Sequence, residues 1–182
     1  VENDEKVWWL YANGYTIGVN QCEKPNAMNR LKRYKPRNIS ELAAFIAGIR
    51  PGFKSMYSKF ESREPFSYGI PVFDNLIQTP EVPYSFVEYQ EQVMSVLNFA
   101  GFPMDECYGI IKAIAKKHPE KVKPLKSRFI EGFKKKIKGQ CPPGQTEDEA
   151  ANKVWKNPEM RYMANVGVEP TIAALHINIV II

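Results

Sequence analysis

The residues of this chain that could do chemistry are mainly cations, and they are concentrated in one segment. Between residues 112 and 138 the sequence holds eleven Lys or Arg and only two acids, Glu120 and Glu131, which gives a balance of +9. The whole chain carries +5, so the remaining residues sum to −4. A local excess of positive charge is typical of a surface that binds a polyanion such as nucleic acid.

Within this segment, the turn around Lys116, Lys117, His118 and Pro119 is the first candidate for phosphate binding. Lys112 lies four residues before Lys116, so on a helix their ammonium groups project from one face, about one turn apart. A lysine face with no other context is usually only solvated. The spacing alone leaves phosphate binding and simple solvation both open.

A second set of cations follows Pro119, in a stretch that reads as one helix. Apolar residues recur there every three or four positions and form a seam with a basic back. These apolar positions are Val122, Leu125, Phe129, Phe133 and Ile137. The cations that could track a DNA backbone, or could be merely solvated, are Lys123, Lys126, Arg128, Lys134 and Lys135.

Residues for metal-dependent or nucleophilic catalysis are not arranged in any recognisable pattern. Nucleotidyl transfer needs aspartates that clamp two metal ions. The four aspartates are far apart in sequence and form no D-x-D pair, and we interpret each as a cap, turn or linker residue: Asp4, Asp74, Asp105 and Asp148. His118 and His176 are interpreted as structural, and three cysteines without C-x-x-C spacing indicate no zinc site. We expect neither a catalytic residue nor a bound cofactor or metal in this chain.

Length and composition predict one hydrophobic core with appendages. The chain has 182 residues, 44% of them hydrophobic, which suits one domain better than two. No signal peptide is recognisable and no apolar run is long enough to cross a bilayer, so we expect a cytoplasmic protein without a membrane partner. The predicted division is a helical domain over 1–140, a Pro/Gly-rich and acidic linker over 141–149, and a tail of uncertain structure over 150–182.

The predicted fold class is mainly α, with one short β element and long irregular connections. Helices are expected around 7–11, 25–34, 41–49, 88–100, 103–117 and 119–137, with a weak signal over 150–156. Residues 15–21 alternate enough to predict a short strand. Five prolines between 51 and 83 exclude a long helix there. Gln90, Glu91 and Gln92 are expected mainly to hold neighbouring helices together.

Six segments occur in an order that resembles the fingers region of the C family of DNA polymerases, the bacterial DNA polymerase III alpha subunits. Each segment alone is a weak signal, whereas the ordered set over about residues 7–138 is specific. The family patterns are T-x-G-V-F-Q-x-E at 16–23, a basic stretch ending in K-P at 31–36, R-P-G-P at 49–52, Y-G-x-x-x-Y-Q-E-Q-V-M at 84–94, R-A-M-G-K-K-K-P-E at 112–120 and R-F-x-x-G at 128–132.

This resemblance implies a fingers segment that closes on an incoming nucleotide during DNA-templated DNA synthesis. It implies that Lys112, Lys116, Lys117 and Arg50 contact the dNTP triphosphate and that the later cations contact the backbone of template-primer DNA. Arg50 could instead cap a helix C-terminus, where its charge offsets the carbonyl dipole. The implied partners are dNTP, DNA and the palm and thumb domains of a longer polypeptide, and Mg²⁺ is expected in the complete polymerase.

The sequence also departs from the family pattern. Ile111 stands where the family has the first of two paired arginines, and Lys112 stands at the second, so we expect a weaker or rearranged grip on triphosphate. Residues 150–156 resemble a family helix, and from Asn157 onwards no motif matches. The catalytic palm would lie before residue 1, so this segment alone is expected to be inactive. The alternatives are a non-enzymatic nucleic-acid-binding protein using a basic helix pair, and an interaction domain with a solvated lysine face.

Overall fold

A computed structural model of the chain describes residues 3–49, 53–78, 84–87, 89–115 and 119–157. These residues form ten helices and no strand, so the prediction of a mainly α fold is confirmed. The described residues up to Glu64 belong to one compact unit, and those from Pro65 onwards belong to a second. The helices are α1 (Glu5–Asn13), α2 (Pro25–Tyr34), α3 (Ile39–Gly48), α4 (Tyr57–Glu61), α5 (Pro71–Ile77), α6 (Gln90–Phe99), α7 (Met104–Ala115), α8 (Pro119–Val122), α9 (Leu125–Ile137) and α10 (Glu147–Lys156).

The predicted short β element at 15–21 is wrong, because this stretch is a series of turns. Val19 N donates to Thr16 O at 3.1 Å and Cys22 N donates to Val19 O at 3.0 Å. Gly18 and Gln21 have φ of +81° and +63°, which no extended strand allows. Thr16, Val19 and Cys22 are buried while Ile17 is 88% exposed. The alternation that suggested a strand therefore comes from turns that bury every third residue.

In the first unit, specific caps close two of the helices that the sequence predicted. Gly14 ends α1 with φ of +75°, and its N–H donates to carbonyls of the last turn. Asn38 caps α3 by accepting from Glu41 N at 2.8 Å. Every residue of α3 from Leu42 to Gly48 is buried, so α3 is a core helix of this unit.

An aromatic cluster packs α2, α3 and α4 of the first unit together. The Tyr34 ring stacks on Phe60 at 4.8 Å and on Phe45 at 5.7 Å between centroids. Phe53 meets Phe60 edge-on at 5.4 Å. Such ring pairs stabilise a core beyond the burial of their area. The core of this unit therefore depends on aromatic rings from a short helix and loop that propensity alone does not predict.

A second aromatic cluster forms the core of the other unit. Phe133 of α9 contacts Phe73 of α5 at 4.9 Å and Phe99 of α6 at 5.4 Å. Phe129, one turn earlier, stacks with Phe133 at 5.5 Å. The apolar seam predicted along 122–137 thus faces α5 and α6, and the basic residues of the same stretch are left outside.

The buried Asp74 organises the loop that leads into α5. Its carboxylate accepts from Tyr68 N at 2.8 Å, Ile70 N at 3.0 Å and Ser67 Oγ at 2.7 Å. The Ser85 hydroxyl donates to the same carboxylate. A buried carboxylate with this many donors has the partners that its charge needs. Asp74 therefore has a structural role, in agreement with its interpretation from sequence as a cap, turn or linker residue.

The helix predicted from Pro119 to Ile137 is two helices in the structure. α8 ends at Val122, and Pro124 is the N-cap of α9. Proline has no N–H and cannot continue a helix from the residue four positions earlier. The chain therefore turns at residues 123–124, and the cations before and after this turn belong to different helices.

α10 begins earlier than the weak helical signal suggested. Thr146 accepts from Glu149 N at 3.2 Å, and Glu149 accepts in return from Thr146 N at 2.9 Å. This reciprocal pair is a capping box, and its T-x-x-E spacing is visible in the sequence. α10 then packs on α9, with the Trp155 ring 5.0 Å from the ring of Phe129.

No helix within the described ranges has the length and apolar character of a membrane span. Over the same ranges, His, Cys, Asp and Glu side chains form no group of three or more that could hold a metal ion.

Candidate phosphate-binding surface

Lys112 lies on the exposed face of α7. The opposite face of this helix buries Cys107, Ile110 and Ile111, and this arrangement turns Lys112 outward. Its Nζ lies 4.2 Å from the centroid of the Tyr108 ring, one turn earlier. The ammonium is therefore available to an anion while resting against an aromatic face.

Ile111 occupies a different environment from Lys112, although the two are adjacent. Its side chain is only 1% exposed and belongs to the core of the second unit. Consecutive helical residues point about 100° apart, so a residue at 111 cannot share the outer face with Lys112. In this chain position 111 is a packing position, and the phosphate-binding role that the resemblance gives it has no counterpart here.

Three of the nine predicted site residues fall outside the described residues. These are Arg50, Lys116 and Lys117. His118, in the same turn, lies outside them as well. Their roles remain predictions.

Two cations of the predicted DNA-backbone set are already paired. Arg128 donates to Glu106 at 2.9 Å, and its guanidinium lies 4.3 Å over the Phe102 ring. Lys134 donates to Asp148 of α10 at 3.1 Å, and this hydrogen bond raises the pKa of Lys134. Both side chains connect α9 to its neighbours, which charge counting along the sequence cannot reveal.

The remaining members of that set, Lys123, Lys126 and Lys135, are exposed. Within the described part of the chain, none of these three forms an ion pair with a carboxylate. Lys126 and Lys135 are nine positions apart, which at about 100° per residue places them on opposite sides of α9. Lys135 instead shares a side with Arg128, two turns earlier. The basic segment is thus a band around α9 rather than a single stripe.

Gln92, from the Y-Q-E-Q-V-M motif, has the structural role that the sequence analysis expected. Its Nε2 donates to Ile77 O at 2.8 Å and to Phe86 O at 3.2 Å. Its Oε1 accepts from Tyr89 N at 2.9 Å, at the start of α6. One side chain thereby joins α5, α6 and a loop residue between them, Phe86.

Two of the three cysteine thiols, those of Cys22 and Cys107, are buried and poorly reactive. Burial raises the pKa of Cys22 to about 12, and burial also raises the pKa of Cys107. A thiol with a raised pKa holds little thiolate at neutral pH and is a poor nucleophile.

Sequence reasoning missed the contact between Tyr108 and Lys112. The sequence feature that indicates this contact is an aromatic residue four positions before Lys112, because this spacing places a ring and a cation together on one helix face. The family pattern directs attention to the cations only.

Comparison with known proteins agrees with the motif order. A family model described as the bacterial DNA polymerase III alpha subunit finger domain matches residues 1–137. DNA polymerase III subunit alpha of Campylobacter jejuni is 34% identical over 137 residues, 73% of this chain and 11% of that protein. The Thermotoga maritima subunit is 35% identical over 134 residues, 74% of this chain and 15% of that protein.

The subunit of Aquifex aeolicus is 31% identical over 137 residues, 71% of this chain and 12% of that protein. The chain therefore spans between 11% and 15% of the length of these three relatives. The family model covers well over half of the chain. The chain belongs to the bacterial DNA polymerase III alpha subunit finger domain family.

Proposed function

We propose that this chain is the fingers segment of a longer replicative DNA polymerase and that its basic segment binds phosphate. Lys112, with Lys116, Lys117 and Arg50, contacts the triphosphate of the incoming dNTP. Lys123, Lys126 and Lys135 contact the backbone of template-primer DNA, in a manner independent of sequence. The observation that carries this proposal is the exposure of Lys112, Lys123, Lys126 and Lys135 without a carboxylate partner in the described ranges, in a chain of this family.

Arg128 and Lys134 have a secondary part in this proposal. Each would have to exchange an exposed carboxylate for a phosphate. Exposed ion pairs contribute only about 0–1 kcal/mol, so the exchange is cheap. These two residues add to DNA binding only after the α9 contacts that they make have been released.

The reaction itself is assigned to other parts of the polypeptide. Asp74 is occupied by its hydrogen bonds, Asp4 caps α1 and Asp148 pairs with Lys134. Asp105 lies in the first turn of α7. This placement supports Mg²⁺-binding aspartates in a palm domain, with palm and thumb as partners of this chain and no polymerisation by the chain alone. A D-x-D pair encoded upstream in the same gene would separate this function from a non-enzymatic nucleic-acid-binding protein.

A salt titration of DNA binding tests the backbone contacts. In the full chain, the triple substitution of Lys123, Lys126 and Lys135 by Gln is expected to weaken duplex binding. It should also reduce the slope of log K against log salt by up to about 3, since each lost phosphate contact removes about 0.9. The matched control replaces Lys24, Lys32 and Lys35 of the first unit, which are equally exposed. Equal slopes for the two variants would contradict the assignment.

The nucleotide contact is tested in the complete polymerase. Lys112→Ala is expected to raise the apparent KM for dNTP, because a phosphate partner is removed. Lys59→Ala, which removes an exposed lysine of α4 in the first unit, is the control and should leave the KM unchanged. An unchanged nucleotide dependence in the Lys112 variant would contradict the proposed role.

A further inference from the structure

The outer face of α7 carries an apolar strip that leads to Lys112. Met104 and Tyr108 are 49% and 48% exposed, which is unusual for side chains of this size. Met104, Tyr108 and Lys112 follow one another at intervals of four, so they lie along one side of the helix. A Cβ built on Gly109 would meet nothing within 4 Å. The surface at Gly109, the residue next to Tyr108, is therefore open.

The Tyr108 ring and the Lys112 ammonium form a weak contact that a bound anion can replace. Lys112 Nζ lies 4.2 Å from the Tyr108 centroid, a cation–π contact on the protein surface. Such a contact is weak when exposed, whereas a hydrogen bond to a charged phosphate is among the stronger polar contacts. A phosphate that takes the ammonium leaves one face of the Tyr108 ring free.

Tyr108 has a different environment from Tyr15, which is also exposed. Tyr15 is 60% exposed but stacks on Trp9 at 5.5 Å, so the two rings partly cover each other. Tyr108 stacks on no other aromatic ring within the described residues. The contact that its ring makes is with the end of the Lys112 side chain.

A nucleotide has the chemistry that fits this strip. It places a flat aromatic base and a sugar a short distance from an anionic phosphate. Stacking of a base on an aromatic side chain is tolerant of sequence, because every base has a π face. A phosphate on Lys112 would bring the rest of the nucleotide along α7, towards either Tyr108 or the opposite end of the helix.

We propose that Tyr108 and Lys112 together form a nucleotide-binding surface, in which the Tyr108 ring packs against the base or sugar and the Lys112 ammonium binds the phosphate. This inference rests on the proposed function for the phosphate contact of Lys112 and adds Tyr108 as a binding residue. The same chemistry is offered by a free dNTP and by a nucleotide of a single strand.

The test measures dissociation constants of the full chain by NMR titration at millimolar ligand. The probes are dATP, inorganic tripolyphosphate and a short single-stranded oligothymidylate. The variants are Tyr108→Leu, which keeps apolar volume without the π face, Lys112→Gln, and Tyr15→Leu as a control at another exposed tyrosine. Amide spectra of each variant show whether the fold is intact.

Tyr108→Leu is expected to weaken binding of dATP, of the oligothymidylate or of both about tenfold, while tripolyphosphate binding stays within twofold. A loss confined to dATP identifies a free nucleotide, and a loss confined to the oligothymidylate identifies a strand nucleotide. Lys112→Gln should weaken all probes that bind, and Tyr15→Leu should weaken none.

The inference is overturned if Tyr108→Leu leaves dATP and oligothymidylate binding unchanged, or if it weakens tripolyphosphate equally. It is also overturned if neither nucleotide probe binds the unsubstituted chain. By contrast, tripolyphosphate binding that survives Lys112→Gln unchanged would overturn the phosphate role of Lys112 itself. The failure of the inference and the failure of the proposed function are thus distinguishable.

Discussion

At the scale of single residues, Glu41 of the first unit pairs with two arginines. Its carboxylate contacts Arg37 and Arg63, each at 2.8 Å. Arg63 also donates to Tyr34 O at 2.7 Å, at the end of α2. Glu41 thereby joins the first turn of α3 to the end of α2. Burial raises its pKa, but hydrogen bonds from Arg37 and Arg63 outweigh burial and leave the pKa lowered.

We predict that Glu41→Gln lowers the free energy of unfolding by about 1–3 kcal/mol at neutral pH, because Arg63 loses its charged partner. A lowered carboxyl pKa stabilises the fold above the unfolded value of about 4.3. This stabilisation is lost as the pH falls through the folded pKa. The difference between the wild-type chain and the variant should therefore be constant above about pH 5 and shrink below about pH 4.

Urea unfolding at several pH values measures this difference in stability. The contributions of the other carboxylates cancel because both proteins contain them. Glu64→Gln is the control, since Glu64 pairs with Lys59 at 3.5 Å with both side chains about half exposed. It should change stability by less than about 0.5 kcal/mol. A Glu41 variant whose deficit stays the same down to acidic pH would show that the carboxylate charge is not what stabilises the contact.

The positions of the cations can be taken directly from the sequence, but which of them lack a carboxylate partner could be predicted only in part. Lys112 is correctly placed on an outer face because the apolar spacing of its own helix defines that face. Arg128 and Lys134 are paired with Glu106 and Asp148, which come from α7 and α10. Carboxylates that arrive from another helix leave no local signal in the sequence, so those pairs could not be foreseen.

At the scale of secondary structure, α9 approaches the end of α6 closely at Gly132. A Cβ built at this position would lie 1.8 Å from Ala100 O and 2.8 Å from Ala100 C. The glycine of the R-F-x-x-G motif therefore lets α9 lie directly against the C-terminal end of α6. Arg128 and Phe129, at the start of the same motif, contact Phe102 and the aromatic core.

We predict that Gly132→Ala lowers the free energy of unfolding by about 3 kcal/mol, since the obstruction is backbone and cannot rotate away. Gly109→Ala is the matched control on α7, where the added methyl group meets nothing within 4 Å. That variant should be more stable than wild type by roughly 0.5–1 kcal/mol, because alanine is the better helix former. Denaturant titration of both variants provides the comparison. Equal stabilities for the two would mean that α6 and α9 separate without cost.

Helix boundaries were predictable where a cap or a proline marks them. Pro25, Asn38 and Gly14 each fix an end that the structure confirms. The strand prediction at 15–21 failed because positive φ at Gly18 and Gln21 makes turns with a period of three. The single helix over 119–137 failed because the apolar spacing on which it rested took no account of Pro124, which begins a new helix. In each failure a backbone constraint prevailed over hydrophobic spacing.

At the scale of the whole molecule, α10 extends the second unit past the end of the family match. The family model ends at residue 137, yet Ala150, Ala151 and Val154 of α10 are buried. In addition to these apolar contacts, α10 makes a polar contact in which Glu147 accepts a hydrogen bond from Gly139 N at 3.1 Å. Asn157 donates to the Tyr68 hydroxyl at 2.6 Å. The core around Phe129 is therefore completed by residues that follow the part of the chain matched by the family model.

We predict that a chain ending at residue 140 is less stable than one ending at residue 157 by roughly 3 kcal/mol or more. The shorter chain loses three buried apolar side chains and the Trp155 contact with Phe129, and each such burial contributes on the order of 1 kcal/mol or more. Because both truncated chains lack residues 158–182, these residues do not affect the difference in stability. Trp155→Ala in the longer chain should give part of the same loss, whereas Lys156→Ala, at an exposed position of α10, should give almost none. Identical denaturant midpoints and slopes for the two truncated chains would show that α10 adds no stability to the unit, and that the basic band on α9 is held by α5, α6 and α7 alone.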